Sequence, residues 1–561
     1  MPSPGRKRSL ESLMVVRTDV LICGAGPVGL TLATQLRAMG VSCQIVDKNR
    51  GRSCKSKALV VWGRSLEVLH TCMDANAFLS VGRPVRKARF YEEGAPFAEI
   101  EFTSNDSQFG TGVLIPQSLT EKLLEDHLNV GGLHVERSTE LISFVQSSDS
   151  VSCVLQDAGG GQRAVVAKYL VGCDGAHSVV RHGLGLEFPG RNDGLRWVLA
   201  DVELSGEVPK VDVASLWSRS GILLLFHFGD NLWRVVAEEP LVSPESPRRE
   251  PTLQEIQRYL DERGTGGVRA ANPAWLAEFR VNERKVAHYA VGRVFLAGDS
   301  AHVHSPAGGQ GMNTGIQDAC NLAWKLAWHI RGVGSERLLR SYSAERGEIG
   351  AMVVRATSRI TRLATTESRV LQRVRNTVAK IALHFDWVHD KVRKNLAEYT
   401  VSYRTSEING KDARCSRAAL RCGDRVPDIR WRDALEQTKT LYGSLAGGKA
   451  VLLILKSSHD FAFATWGQGI RGAGQSWVKV ELVVTCESCV TLEQELKPRG
   501  SSEVVASDVS CGCIKRGEFE KLGSVADVWM LVRPDGYLVA AGQTEDLQPV
   551  AEWFSTVASV G

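Results

Sequence analysis

The chain has 561 residues, 43% of them hydrophobic, which is enough for two or three domains with their own cores. A formal charge of +5 is small at this size and no long basic block occurs, which argues against a nucleic-acid partner. No run of about eighteen apolar residues reads as an integral membrane segment, and thirteen scattered cysteines, an odd number, fit reduced thiols in a cytoplasmic protein.

The opening MPSPGRKRSLESL is polar, and residues 1–17 read as a disordered tail. Arg6-Lys7-Arg8 reads as solvated charge, and no apolar segment follows it as a secretory signal would require. Val20 to Cys23 is an apolar strand, followed by Gly24-Ala25-Gly26-Pro27-Val28-Gly29 and a helical run to Met39, with Gly40 as its stop. A second strand, Val41 to Val46, ends at Asp47 and Lys48. Strand, G-x-G-x-x-G turn, helix and an acid about twenty residues on form a dinucleotide-binding fingerprint. In it Gly24 permits the turn, Gly26 lets a pyrophosphate approach the backbone, Gly29 lets helix and strand pack, and Asp47 takes ribose hydroxyls.

Lys48 to Leu69 is basic, with a helix from about Arg64. Pro116-Gln117 precedes a helical run from Leu119 to Leu128, and Leu133 to Val171 reads as strands joined by a Gly159-Gly160-Gly161 turn. Tyr169 to Arg181 repeats the step from apolar strand to an Asp174-Gly175 turn. From Leu195 to Ala290 the strands lengthen, and Gly221 to Phe228 pairs with Leu232 to Ala237 across Gly229-Asp230-Asn231. His227 breaks that apolar strand, either as a core histidine with a backbone partner or as a substrate contact; Trp217 and Arg219 are weaker candidates.

The most distinctive stretch is GRVFLAGDSAHVHSPAGGQGMNTGIQD, ending at Asp318. A short buried strand leads through Gly298-Asp299 to the nearly bare backbone of Gly308-Gly309-Gln310-Gly311, and a helix starts near Met312-Asn313. Strand, glycine loop and helix N-terminus make a cradle for an anion or an electron-rich ring. Leu338–Thr365 and Val370–Glu398 read as long helices, and a further unit opens at Gly423 with strands at Val451–Leu455, Val478–Val484 and Val528–Val532. Cys486, Cys489, Cys511 and Cys513 depart from zinc-ligand spacing in the second pair, so they read as thiols and no metal site is expected.

In this order, the three motifs at Gly24–Gly29, Asp174 and Gly298–Asp318 resemble those of the flavin-dependent aromatic hydroxylases, the family of para-hydroxybenzoate hydroxylase and phenol 2-monooxygenase. The resemblance runs from about Thr18 to the C-terminus. It implies an α/β fold: a glutathione-reductase-like Rossmann FAD-binding domain (18–190 and 291–405), an inserted β-sheet substrate domain (191–290) and a thioredoxin-like C-terminal domain (406–561). That last domain lacks a cysteine pair after its first strand, where Lys456 to Asp460 stand, so it reads as structural or dimer-forming.

The resemblance further implies FAD as cofactor, NADPH or NADH as a transient co-substrate, and O2 and a small aromatic compound as reactants. The reaction it implies is hydroxylation of a phenolic or polyketide-derived ring through a flavin C4a-hydroperoxide, with Baeyer–Villiger or epoxidising oxygenation as the alternative. By the same resemblance, Lys57 stands where the family has an arginine near the flavin phosphates, Arg64 matches a second basic position, and Gln117 hydrogen-bonds the cofactor. Asp174 lies near the ribityl chain and Asp299 holds it. Pro306 and Gly308 to Gly311, Gln310 included, line the reacting ring, and the amides of Met312 and Asn313 face its pyrimidine oxygen.

Overall fold

The computed structural model describes residues 15–52, 58–102, 107–110, 112–240, 249–366, 368–410, 420–433, 435–456, 478–484, 509–513, 522, 528–543 and 548–557. Its first sheet is built on the apolar runs seen in the sequence. Val15–Cys23 lies between Gln162–Gly172 and Cys43–Val46, all parallel, and Val294–Leu296 adds in parallel beyond Gln162–Gly172. Thr139–Gln146 and Val151–Asp157 extend this sheet antiparallel. The central strands are buried on both faces because helices cover them, so they read as unbroken hydrophobic runs and do not alternate. Pro27–Ala38 packs on the sheet and against the twenty-residue helix Gly311–Ile330.

Only residues 15–17 of the expected tail are described, and they are strand: Val15, Val16 and Arg17 pair with Ala164, Val165 and Val166. The first parallel strand therefore begins before the boundary expected at residue 18.

The second sheet has eight strands, in the order His302–Val303, Val268–Lys285, Gly190–Gly206, Leu232–Pro240, Gly221–Gly229, Val213–Ser218, Lys87–Glu92, Ala95–Glu101. Its two faces differ by residue parity. Leu223, Leu225, Trp233, Val235 and Val202 form one core with the helix Leu253–Arg263. Leu224, Val236, Trp197, Trp275 and Phe279 form a separate apolar cluster on the other face, and Phe226 joins that cluster to Phe228, Val60 and Trp62.

A third sheet of seven strands centres on Ala450–Lys456, flanked by Val478–Val484 and Val528–Val532. Buried ion pairs join it to the first unit. Arg533 contacts Glu345 at 2.7 Å and Asp535 at 2.6 Å, and Glu345 also takes Lys325 at 2.7 Å. Such a cluster fixes how the units sit more than it stabilises them, since desolvation offsets most of the Coulomb gain.

The single helix expected over Val370–Glu398 is two, Arg369–Ala382 and Asp386–Leu396. The chain turns at Leu383–Phe385, and Leu383, Val392 and Leu396 then reach the cluster around Val60 and Trp62.

Candidate functional site

The three motifs, separated by more than a hundred residues each, meet at one end of the first sheet. Gly24 holds φ +100°, and a Cβ there would lie 2.4 Å from the Cys173 carbonyl oxygen and 2.9 Å from the Asp174 Cα. A Cβ on Gly29 would fall 1.9 Å from the Gly24 oxygen, so only glycine lets the helix close on the turn. Val28 fills the space next to both Gly298 and Gly315, locking the first turn to the Gly298–Asp318 segment. Asp47 Oδ2 accepts from the Ala25 N–H at 2.8 Å and Oδ1 from the Asn49 N–H at 2.8 Å, so the acid also shapes the turn. Lys48 beside it is exposed.

Gly26 behaves differently from its two neighbours. A Cβ there would meet nothing within 4 Å, and among the described residues no side chain caps the helix that begins at Pro27. The missing side chain leaves a space open beside uncapped amides, which suits a pyrophosphate. Asp174 Oδ2 accepts from Val179 and Val180 N–H groups, while its Oδ1 is buried with no partner among the described residues. Burial pushes the Asp174 carboxyl above the usual carboxylate range. An orphaned acceptor on a residue whose backbone lies against Gly24 fits a hydroxyl donor such as a ribityl chain.

The flavin-loop residues are positioned by side chains that the sequence reading passed over. Pro306 and Gly308 are exposed, and Gly308 and Gly309 hold φ +80° and +63°. The Trp62 indole N–H donates to the Gly308 carbonyl at 2.9 Å. Asn313 is buried: its Oδ1 accepts from the Trp62 N–H at 2.8 Å, and its Nδ2 donates to the Val60 and Gly309 carbonyls. Asn313 thus uses its side chain to staple Val60–Trp62 to the loop, and its amide and that of Met312 remain at the helix start. Gln310 is the uncapped N-cap residue, Gly311 opens the helix, and Asp299 is exposed at the preceding turn.

Beneath the loop, Asp318 takes the Gly298 N–H, the His302 Nε2 at 2.8 Å and the Arg346 guanidinium at 2.6 Å. Burial works against its charge, but Arg346 and His302 outweigh it and hold the carboxyl below its ordinary range. Burial drives the His304 imidazole down to about 4, so it is neutral near pH 7. Glu398 is pushed up to about 8, burial outweighing Arg346 and the hydroxyl of Thr314.

Two expected site residues lie elsewhere. Arg64 is buried against the third sheet, donating to the Tyr442 hydroxyl at 2.5 Å and to the Asp535 carbonyl, with Glu67 at 3.1 Å. Its guanidinium is taken up by these contacts, which join helix Gly63–His70 to the third unit. His227 is on the Leu253–Arg263 side of its strand, opposite Phe226 and Phe228. It stacks on Trp233 at 4.3 Å and its Nε2 meets the Asp230 carbonyl at 2.8 Å, so it is a packing histidine with a backbone partner. Gln117 Oε1 accepts from the Ala58 N–H and its Nε2 donates to Glu121 at 2.9 Å. Lys57, Lys456's successors to Asp460, Cys486 and Cys489 lie outside the described residues.

Sequence reasoning also missed Arg234, a fully buried cation on the Phe226 face of the second sheet. It pairs with Asp201 through two bonds of 2.7 Å and lies over Phe228 and Trp275. A lone arginine in the apolar run Leu232 to Ala237, opposite the acid at Asp201, was the available signal.

Glycine cradle, orphaned acceptor and uncapped helix starts converge on one site, and together they define a flavin-nucleotide-binding enzyme. The FAD binding domain family matches residues 17–357. The chain is 32% identical to 6-methylpretetramide 4-monooxygenase of Streptomyces rimosus over 94% of this chain and 91% of that one. It is 32% identical to a rifampicin monooxygenase of Streptomyces venezuelae over 78% and 87%. The anhydrotetracycline hydroxylase OxyS of Streptomyces rimosus superposes with a TM-score of 0.73 at 27% identity, covering 97% of this chain and 99% of that one. The chain belongs to the FAD-binding aromatic-hydroxylase family, with its mixed α/β fold, and is an FAD-dependent monooxygenase that uses NAD(P)H and O2.

Proposed function

We propose that this enzyme hydroxylates a phenolic or polyketide-derived aromatic ring held between the flavin loop and the second sheet. The observation that supports this most is the sheet face made by Leu224, Phe226, Phe228 and Trp275, which continues into Val60 and Trp62 beside Gly308 and Gly309. An apolar, aromatic wall next to a bare-backbone loop suits a flat ring and excludes water. The polyketide substrates named for relatives at 32% and 33% identity favour the same class.

In this reading, FAD supplies the oxygen-activating chemistry when bound. Gly24, Gly26, Pro27, Val28 and Gly29 take its pyrophosphate, Asp47 and Lys48 its adenosine end, and Asp174, Asp299 and Gln117 its middle. Pro306 and Gly308–Gln310 border the ring, and the amides of Gly311, Met312 and Asn313 stabilise negative charge on it through the positive end of their helix. The first sheet is then a Rossmann-type domain, the second a substrate domain whose inserted strands run from Gly190 to Lys285 and are joined by Lys87–Glu92, Ala95–Glu101 and His302–Val303 from outside the expected 191–290 insert, and the third a thioredoxin-like domain in a structural role. The enzyme works in the cytoplasm.

The test is NADPH and NADH oxidation by the yellow protein with and without a panel of phenols and hydroxylated polyketides. Stimulation by one ring class, with a gain of one oxygen and an intact ring by NMR, is the expected result. A ring-expanded lactone or an epoxide would replace hydroxylation with another oxygenation, and no stimulation by any ring would remove the substrate class.

A further inference from the structure

The helix Arg369–Ala382 is mounted with its polar side toward the protein. Arg375 lies over Trp217 at 4.7 Å, Asn376 donates to Glu92, and Lys380 pairs with Glu92 at 2.5 Å and covers Phe97. The opposite side carries Val370, Leu371, Val374, Val378 and Ile381, each between 54% and 67% exposed. At 100° per residue these five fall within about a third of the helix circumference. Helix packing ordinarily hides that stripe, yet this helix buries no residue at all.

The apolar ridge continues past the turn into Phe385, 50% exposed, and Trp387, 66% exposed. Cations surround it. Residues 355–394 hold ten Lys and Arg against three Asp and Glu, although the whole chain has a formal charge of only +5. Arg355, Arg359, Arg362, Arg369, Arg373 and Lys391 are all exposed, and none makes an ion pair among the described residues.

We infer that this ridge docks the enzyme on an anionic lipid surface, lying in the headgroup layer without crossing it. An apolar stripe ending in Phe and Trp and flanked by unpaired arginines is the composition of an in-plane interfacial helix. A second copy meeting it face to face would set one cationic rim against another. A convex ridge also lacks the concavity that would grip an acidic peptide, whereas a fluid lipid layer moulds to it. No helix of the described residues is long and apolar enough to span a membrane, so the attachment is peripheral and reversible.

Flotation of the FAD-loaded full chain with phosphatidylcholine vesicles, with and without phosphatidylglycerol, tests this, read by flavin fluorescence. The protein should float with the anionic vesicles and at least about tenfold less with the neutral ones, and high salt should release it. The double change Val374→Asp and Ile381→Asp should abolish flotation, and Arg369→Glu with Arg373→Glu should lower it by more than about tenfold, both keeping their flavin. Val374 and Ile381 are on the outward ridge, and Arg369 and Arg373 are exposed on the flank nearer Asn376 and Lys380, so flavin content serves as the folding check. Failure to float, equal flotation on neutral vesicles, or indifference to both variants would overturn the inference. So would a dimer in light scattering that the aspartate variants split, if the wild type does not bind vesicles.

Discussion

Two helices of this chain show how little a residue pattern says about where a helix points. Gly311–Ile330 buries sixteen of its twenty residues, and Asn313, Asp318, Asn321 and Lys325 among them each meet a hydrogen-bond or charge partner. Arg369–Ala382 buries none and turns its valines outward. The first starts at the flavin loop and is locked from every side, so its polar groups are constrained by geometry. The second is attached by a few polar contacts to Glu92 and Trp217. Burial and polar pairing concentrate beside the glycine loop, while the second helix leaves its apolar side exposed.

The largest effect expected on the locked side is Gly29→Ala. A methyl group 1.9 Å from the Gly24 oxygen must displace the turn, and the purified protein should lose most of its flavin absorbance. Asp318→Asn leaves Arg346 buried without its counter-charge and should cost about 3–5 kcal/mol in denaturant unfolding. The same kind of change on the cover, such as Arg373→Ala, should cost well under about 1 kcal/mol. Equal costs would erase the contrast between the two regions.

Glu398 sharpens it through pH. Its folded pKa, about 8, is above the ordinary carboxylate value, so the folded state holds a proton that the unfolded state releases. The stability it contributes is full below the unfolded value and falls as pH rises from about 4.5 to about 8. Glu398→Gln keeps the neutral shape and should flatten that part of the melting-temperature profile; an unchanged slope would place the titration elsewhere. Trp62→Phe removes one hydrogen bond to the Gly308 carbonyl, worth about 1 kcal/mol. It should keep its flavin while diverting a larger share of NADPH oxidation to hydrogen peroxide. His227→Ala should have the smallest effect on turnover, leaving KM for the aromatic substrate unchanged; a raised KM would return that side chain to the pocket.

Much of the cradle was legible because glycine there answers a backbone requirement that no other residue meets: positive φ at Gly24, Gly308 and Gly309, and close approach at Gly29. Strands of the first sheet were legible because burial on both faces leaves unbroken apolar runs. What could not be read was side-chain direction. His227 differs from Phe226 and Phe228 by one step of strand parity, which reverses the face it serves. Arg64 was expected among the cofactor residues because it matches a second basic position of the resembled family, but its guanidinium meets Tyr442 and Asp535. Asn313 was expected to act through its amide, and its side chain proved to be the staple that holds the loop. Helix over Val370–Glu398 was legible, but its break at Leu383–Phe385 and the outward mounting of its first half were not, since that mounting depends on Glu92 and Trp217, which are far away in sequence.

The most direct test of the central claim is turnover under 18O2 with the ring compound that stimulates NADPH oxidation. A hydroxylated product carrying a single 18O atom on an intact aromatic ring, formed only when FAD is bound, is the expected result. Product oxygen drawn from water, or oxygen uptake ending only in hydrogen peroxide for every ring tested, would contradict it.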